Sequence, residues 1–129
     1  MNGEYLLDTN IIIAFLNGDK EISLKITEAE KIYTSVVVIG ELLFGADNSR
    51  NPKENREKIL EFIKFCEVLP IDIETSKMYA ELKTVLKRKG RPIPENDIWI
   101  ASNALQHQLI ISTQDEHFLE IESLRIEKW

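Results

Sequence analysis

A chain of 129 residues and 14.9 kDa has room for one ordinary domain, residues 1–129, and 43% hydrophobic with 29% charged residues excludes a disordered or fibrous chain. The formal charge of −6, from 22 acids against 16 bases, argues against a nonspecific polyanion binder. The apolar runs Ile11 to Leu16 and Val36 to Gly40 are far short of the ~18 residues that cross a bilayer. Met1-Asn2-Gly3-Glu4 has no basic leader, and a lone Cys66 excludes a disulfide framework, so the expected address is the cytoplasm, without a membrane partner.

Tyr5 to Asp8 reads as a short buried strand, and Thr9 to Asn17 as the helix that follows. Leu24, Ile26 and Ala29 mark a second amphipathic helix, ahead of a strand at Ile32 to Thr34. Val36-Val37-Val38 favours a strand by propensity, but Ile39 to Gly45 has helical spacing, and Ser35 is a good N-cap, so a helix is expected there. Pro52 opens a helix whose apolar stripe is Ile59, Phe62, Ile63 and Cys66. Val68 to Ile71 is a short strand. Asp72 caps a helix that runs to Lys89 over a buried stripe of Met78, Leu82, Val85 and Leu86. Gly90-Arg91-Pro92-Ile93-Pro94 is a stiff loop. A helix from Asn96 to Gln108, a strand from Leu109 to Thr113 and an edge strand from Leu124 to Ile126 close the chain. No long-period repeat is present, and strands separated by helices predict an α/β three-layer domain with a mostly parallel sheet.

Three of the six aspartates fall where such a fold places chemistry. Asp8 ends the first strand and Asp115 follows the strand that ends at Thr113; ligands bind outside the carboxyl ends of parallel strands. Asp97 lies in the first turn of its helix. Glu41 interrupts an apolar stretch, where an unpaired carboxylate is costly. Each has a plainer reading: Asp8 and Asp115 as N-caps, Asp97 as an acid suited to a helix start, Glu41 as a solvent-facing residue. Together they point elsewhere, because four converging carboxylates repel unless a divalent cation sits among them. Oxygen donors suit Mg²⁺ or Mn²⁺. His107 and His117 are too few and too poorly spaced for a histidine metal site. Lys83, Lys87, Arg88, Lys89 and Arg91 put five bases into nine residues, either a solvated helix end or a phosphate guide. Trp99 could stack on a base, but its helical spacing reads as core.

Asp8-Thr9-Asn10 after an apolar strand resembles the first motif of PIN-domain nucleases. Ser35 with Glu41 to Ala46 resembles the second, Arg91 to Ala101 the third, and Leu109 to Phe118 the fourth. The likeness runs from Tyr5 to the end, and the compact size is most similar to VapC toxins of type II toxin–antitoxin pairs. The resemblance implies a PIN-like fold and metal-assisted hydrolysis of RNA phosphodiesters. It implies that Asp8, Asp97 and Asp115 hold Mg²⁺ (or Mn²⁺) and that Glu41 completes the acidic pocket. Thr113 would orient Asp115 or a metal-bound water, while Asn10 would hydrogen-bond within the pocket. Asp115 is the position at which the family also uses an amide. Lys87, Arg88, Lys89 and Arg91 would guide RNA. The implied partners are an RNA substrate, a VapB-like DNA-binding antitoxin whose tail lies across the acidic groove formed by these carboxylates, and a second copy of the chain. Three alternatives stay open: an RNA-processing nuclease without a toxin role, a non-catalytic PIN-like scaffold, and an aspartyl phosphotransferase, which usually has a second Asp where Asn10 stands.

Overall fold

The computed structural model describes residues 3–129, so the leader reading at Met1 and Asn2 lies outside the described residues. Five strands form the centre: β1 (Glu4–Leu7), β2 (Lys31–Ser35), β3 (Glu67–Leu69), β4 (Ile110–Thr113) and β5 (Ile126–Lys128). Six helices connect or flank them: α1 (Thr9–Leu16), α2 (Lys20–Glu28), α3 (Val36–Asp47), α4 (Pro52–Ile63), α5 (Ile73–Lys89) and α6 (Glu95–Gln106). The sheet order is β3-β2-β1-β4-β5 and every pairing is parallel. This is the α/β architecture expected from alternating strands and helices. Tyr5, Leu6 and Leu7 are all buried, as a central parallel strand covered on both faces requires.

The order matters for the site. The chain builds outward from β1 through β2 to β3, then returns to lay β4 and β5 on the other side of β1. The crevice outside the carboxyl ends of β1 and β4 is therefore a topological switch point, where an open α/β sheet leaves room for a ligand.

Local signals set most boundaries. Ser35 caps α3 by accepting the Val37 N–H, and Asp72 accepts the Thr75 N–H in a reciprocal capping box on α5, a device worth about 1 kcal/mol. Gly90 ends α5 at φ +67°, a left-handed conformation that favours glycine. Some expected core positions are corrected. α2 starts at Lys20, so Ile22 and Ile26 turn into the core while Leu24 is exposed. On α5 the buried stripe is Thr75, Leu82 and Leu86, with Val85 turned outward. α4 ends at Ile63, which leaves Cys66 half-buried in the following turn. The last strand begins at Ile126, because its pairing to Ile111 fixes the register and Leu124 packs in the preceding loop. A 3₁₀ turn at His117–Glu120, not anticipated from the sequence, lies between β4 and β5. No helix among the described residues is long and apolar enough to cross a membrane.

Candidate active site

Leu6 and Leu7 drive β1 into the core, so the next residue emerges at its carboxyl end. That residue, Asp8, is 4% exposed and also caps α1. Its Oδ1 accepts the Thr9 N–H at 2.8 Å, and its Oδ2 accepts the Thr113 hydroxyl at 2.7 Å and the Asn10 amide at 3.4 Å. The cap reading and the pocket reading of Asp8 are both present in one carboxylate. Because β1 and β4 pair with Leu7 opposite Ser112, Thr113 arrives beside Asp8 across 105 residues of sequence. Asn10 joins the same two strand ends, with its Oδ1 accepting the Gln114 N–H at 3.2 Å.

Asp97 is 9% exposed in the first turn of α6, behind the rigid loop that ends at Pro94, where the positive end of the helix dipole favours an acid. Asp115 is held by its own backbone N–H, which donates to the Thr113 hydroxyl at 2.9 Å. The Thr113 hydrogen itself goes to Asp8, not to the Asp115 carboxylate. Glu41 is half-buried and turned toward the pocket. Its Oε1 accepts the Thr9 hydroxyl at 2.6 Å and its Oε2 the Asn96 amide at 3.2 Å, so donors from α1 and α6 fix it.

The charges are unbalanced. Among the described residues no lysine or arginine pairs with Asp8, Glu41, Asp97 or Asp115; the one nitrogen that reaches any of them as an ion-pair partner belongs to His117. Its Nδ1 lies 2.9 Å from Asp97 Oδ2 and 3.0 Å from Asp115 Oδ1. Burial pushes the Asp8 carboxyl up to about 6, against the lowering hydrogen bonds from Thr113 and Thr9. Asp97 is raised as well, first by burial, with repulsion from Asp115 and Glu41 added and the His117 bond opposing. His117 is raised by its bond to Asp97.

The donor set fits a divalent ion. Asp97, Asp115 and His117 each offer a ligand atom, all within 4.8 Å of one another. Asp8 and Glu41 belong to no such compact group among the described residues, because their oxygens are turned to the hydroxyl and amide donors above. Residue-by-residue reading of the sequence missed three contributors. Thr9 and Asn96 stand next to Asp8 and Asp97 in the chain and were within reach of inspection. His117 follows Asp115 by two residues, but only the 3₁₀ turn aims its ring back at Asp97.

The basic segment closes α5. Lys89 pairs with Glu122 at 3.2 Å and Arg91 approaches Glu120 at 4.0 Å, while Lys87 and Arg88 make no ion pair among the described residues. Trp99 is half-buried and stacks on Tyr79, ring centroids 3.8 Å apart, so one of its faces is already covered.

Comparison with known proteins agrees with this geometry. The profile of the PIN domain family matches residues 5–124. Ribonuclease VapC2 of Haemophilus influenzae is 32% identical over 129 residues, covering 98% of each chain. The tRNA(fMet)-specific endonuclease VapC of Shigella flexneri is 32% identical over 130 residues, again with 98% of each covered. In the crystal structure of DNA-bound VapBC from Salmonella typhimurium, a chain 29% identical superposes with a TM-score of 0.91 over 98% of both chains. With the order of motifs, the all-parallel sheet and the acids at its switch point, these matches show that the chain belongs to the PIN-domain family, among the VapC proteins.

Proposed function

We propose that this chain is a ribonuclease of one PIN-like domain that hydrolyses RNA phosphodiester bonds with a divalent ion and acts in the cytoplasm as the toxin of a toxin–antitoxin pair. The observation that carries the reading is a set of buried and half-buried carboxylates gathered at the switch point, with no lysine or arginine paired to them among the described residues. Burying acids in this way costs free energy that a core has no need to spend, whereas a cation arriving from solvent turns it into a binding site. The relatives named as ribonucleases support the activity, and the VapBC complex supports a VapB-like partner.

In this reading Asp97 and Asp115 hold the ion, with Asp8 and Glu41 closing the acidic pocket. When bound, the ion supplies a Lewis acid for the phosphate and lowers the pKa of a water. The chain's own groups supply the positioning. Thr113 donates to Asp8 while accepting from the Asp115 backbone, which fixes the two strand-end acids relative to each other. Thr9 and Asn96 hold both oxygens of Glu41, and Asn10 ties Asp8 to the backbone after β4. Lys87 and Arg88, free of ion pairs among the described residues, are the bases of the α5 end most available to phosphate.

Surface chemistry supports the protein partners. A groove of about 780 Å³ between α1, α2 and α4 is walled by Phe15, Leu16, Ile26, Phe62 and Phe65 and edged by Glu54, Glu57, Lys58 and Glu61, with Lys58 paired to Glu54. It suits an apolar segment of the antitoxin, apart from the tail that lies across the acidic pocket. Leu60 near the end of α4, and Ile73 and Val85 on α5, are exposed apolar residues of the kind a second copy would cover.

The deciding experiment is cleavage of RNA by purified protein with EDTA, then with Mg²⁺ or Mn²⁺ restored, beside a generic phosphatase substrate. Metal-dependent RNA cleavage without phosphatase activity is expected. Metal-independent cleavage overturns the ion's role, and phosphatase activity alone favours a phosphotransferase.

A further inference from the structure

The chain has two histidines, and the fold treats them differently. His107 closes α6 at the end of the helix away from Asp97. His117 opens the 3₁₀ turn after Asp115, and Phe118 beside it is fully buried, which anchors the turn to the core. That anchor places the His117 backbone so that its ring reaches the acids. Nδ1 stands 2.9 Å from Asp97 Oδ2 and 3.0 Å from Asp115 Oδ1.

One ring nitrogen carries at most one hydrogen, which points in one direction and cannot serve two carboxylates from different elements equally well. Two anionic oxygens and one nitrogen around a common point are better matched to a cation. Neighbouring ligands of an octahedral ion with bonds of ~2.1 Å lie about 3.0 Å apart, the spacing already present between Nδ1 and each of the two oxygens. Asp97 and Asp115 supply two protein ligand atoms, and Nδ1 adds a third to the same compact group.

Resting on the metal-dependent reading above, we propose that His117 is a direct ligand of the divalent ion through Nδ1, beside Asp97 and Asp115, and that this nitrogen makes the site prefer Mn²⁺ to Mg²⁺. Mg²⁺ is hard and gains nothing from imidazole over water, whereas Mn²⁺, a first-row ion, accepts nitrogen donors more readily. The ring ligates as neutral imidazole, with its hydrogen on Nε2. The side chain is 50% exposed, so water can accept that hydrogen.

The test uses untagged full-length protein with Mn²⁺ and Mg²⁺ as the probes. Electron spin-echo modulation of bound Mn²⁺ reads directly coordinated ¹⁴N, and calorimetry gives both affinities in wild type, His117→Asn and His107→Asn. Asparagine keeps a hydrogen-bonding group near the place of Nδ1 without an imidazole nitrogen, and the melting temperature of the metal-free variant checks its fold. Nitrogen coupling is expected in wild type and His107→Asn and absent in His117→Asn. The preference for Mn²⁺ should be at least about tenfold in wild type and fall to about threefold or less in His117→Asn, with Mg²⁺ affinity nearly unchanged. Mn²⁺ bound without nitrogen coupling overturns the ligand role, an unchanged preference in His117→Asn overturns the selectivity assigned to it, and either leaves the metal-dependent reading standing. Failure of wild type to bind either ion overturns both.

Discussion

The two ends of the sheet handle acids in opposite ways. Where the strands begin, Glu4 accepts the Tyr33 hydroxyl at 3.0 Å and Glu67 meets Lys31 at 3.1 Å, with both members of the ion pair about half exposed. Where β1 and β4 end, Asp8 and Asp97 are buried, with hydroxyls, amides and one imidazole for company and no lysine or arginine among the described residues. The first arrangement is ordinary surface electrostatics, in which solvated acids find donors and each pair adds little. The second holds carboxylates in a state that disfavours their charge, the mark of a site prepared for something absent from the chain itself.

The contrast breaks most visibly on activity. Asp97→Asn should lower RNA cleavage by at least about 10³-fold, and Glu4→Gln should leave it unchanged. Steady-state cleavage of one RNA by both variants checks this, and equal losses would erase the distinction between the two ends. Metal-free Asp97→Asn should melt no lower than wild type, because it removes a desolvated charge.

Adding the ion tests the same contrast through stability. An ion present at 100 times its dissociation constant stabilises the folded state by about 2.7 kcal/mol, or roughly 10 °C in melting temperature for a chain of this size. The shift should survive Glu4→Gln and vanish in Asp97→Asn. An equal shift with NaCl at matched ionic strength would reduce the effect to screening of the −6 charge.

Protons should act on the acidic end with a defined sign. Asp8 titrates near 6 when folded and at an ordinary 3.8 when unfolded. Between those values the folded chain keeps a proton that the unfolded chain has released. Metal-free stability should therefore fall as pH rises from about 4 to about 6, by on the order of 2–3 kcal/mol, then level off as far as Asp8 is concerned. Asp97 contributes in the same direction. Asp8→Asn should flatten the slope, and so should a bound divalent ion, which favours the charged form. Denaturant midpoints across this range in wild type and Asp8→Asn decide it, and a wild-type slope that Asp8→Asn leaves intact would place the titration elsewhere.

Smaller effects belong to solvated charges. Replacing Lys87 and Arg88 together by Ala should raise KM several-fold with kcat nearly unchanged. The salt dependence of RNA binding should flatten by roughly 0.7 in log–log slope for each phosphate that is no longer neutralised. The same exchange at Lys89 and Arg91, already engaged by Glu122 and Glu120, should do less. At the other end of the sheet, Lys31→Ala should change stability by less than about 1 kcal/mol.

Much of the fold was legible because its signals are local. A run of apolar residues before Asp-Thr-Asn announces a buried strand and the helix that Asp8 caps. Ser35, Asp72 and Gly90 mark helix ends by hydrogen bonds or dihedrals that span a few residues. The errors cluster where a stripe had to be assigned a direction. Leu24 and Val85 fit an apolar periodicity as well as Ile22 and Leu86 do, and only the neighbouring helices, α1 beside α2 and α6 beside α5, choose which side is covered. Cys66 continued the α4 stripe on paper, but the chain turns after Ile63 to enter β3.

The sequence by itself determined the kinds of element, their order, and the presence of four acids at positions a parallel sheet exposes for chemistry. These follow from side-chain period, capping and backbone preference, which act over about ten residues or fewer. Only the tertiary structure decided which groups meet. It set Asp8 against Thr113 across 105 residues, turned Glu41 between Thr9 and Asn96, and brought His117 between Asp97 and Asp115. The physical reason is register: one strand pairing, held by the packing of both sheet faces, fixes where every later side chain emerges. Burial, which raises the pKa of Asp8 and Asp97, is likewise a property of the whole packed sheet and not of any one segment.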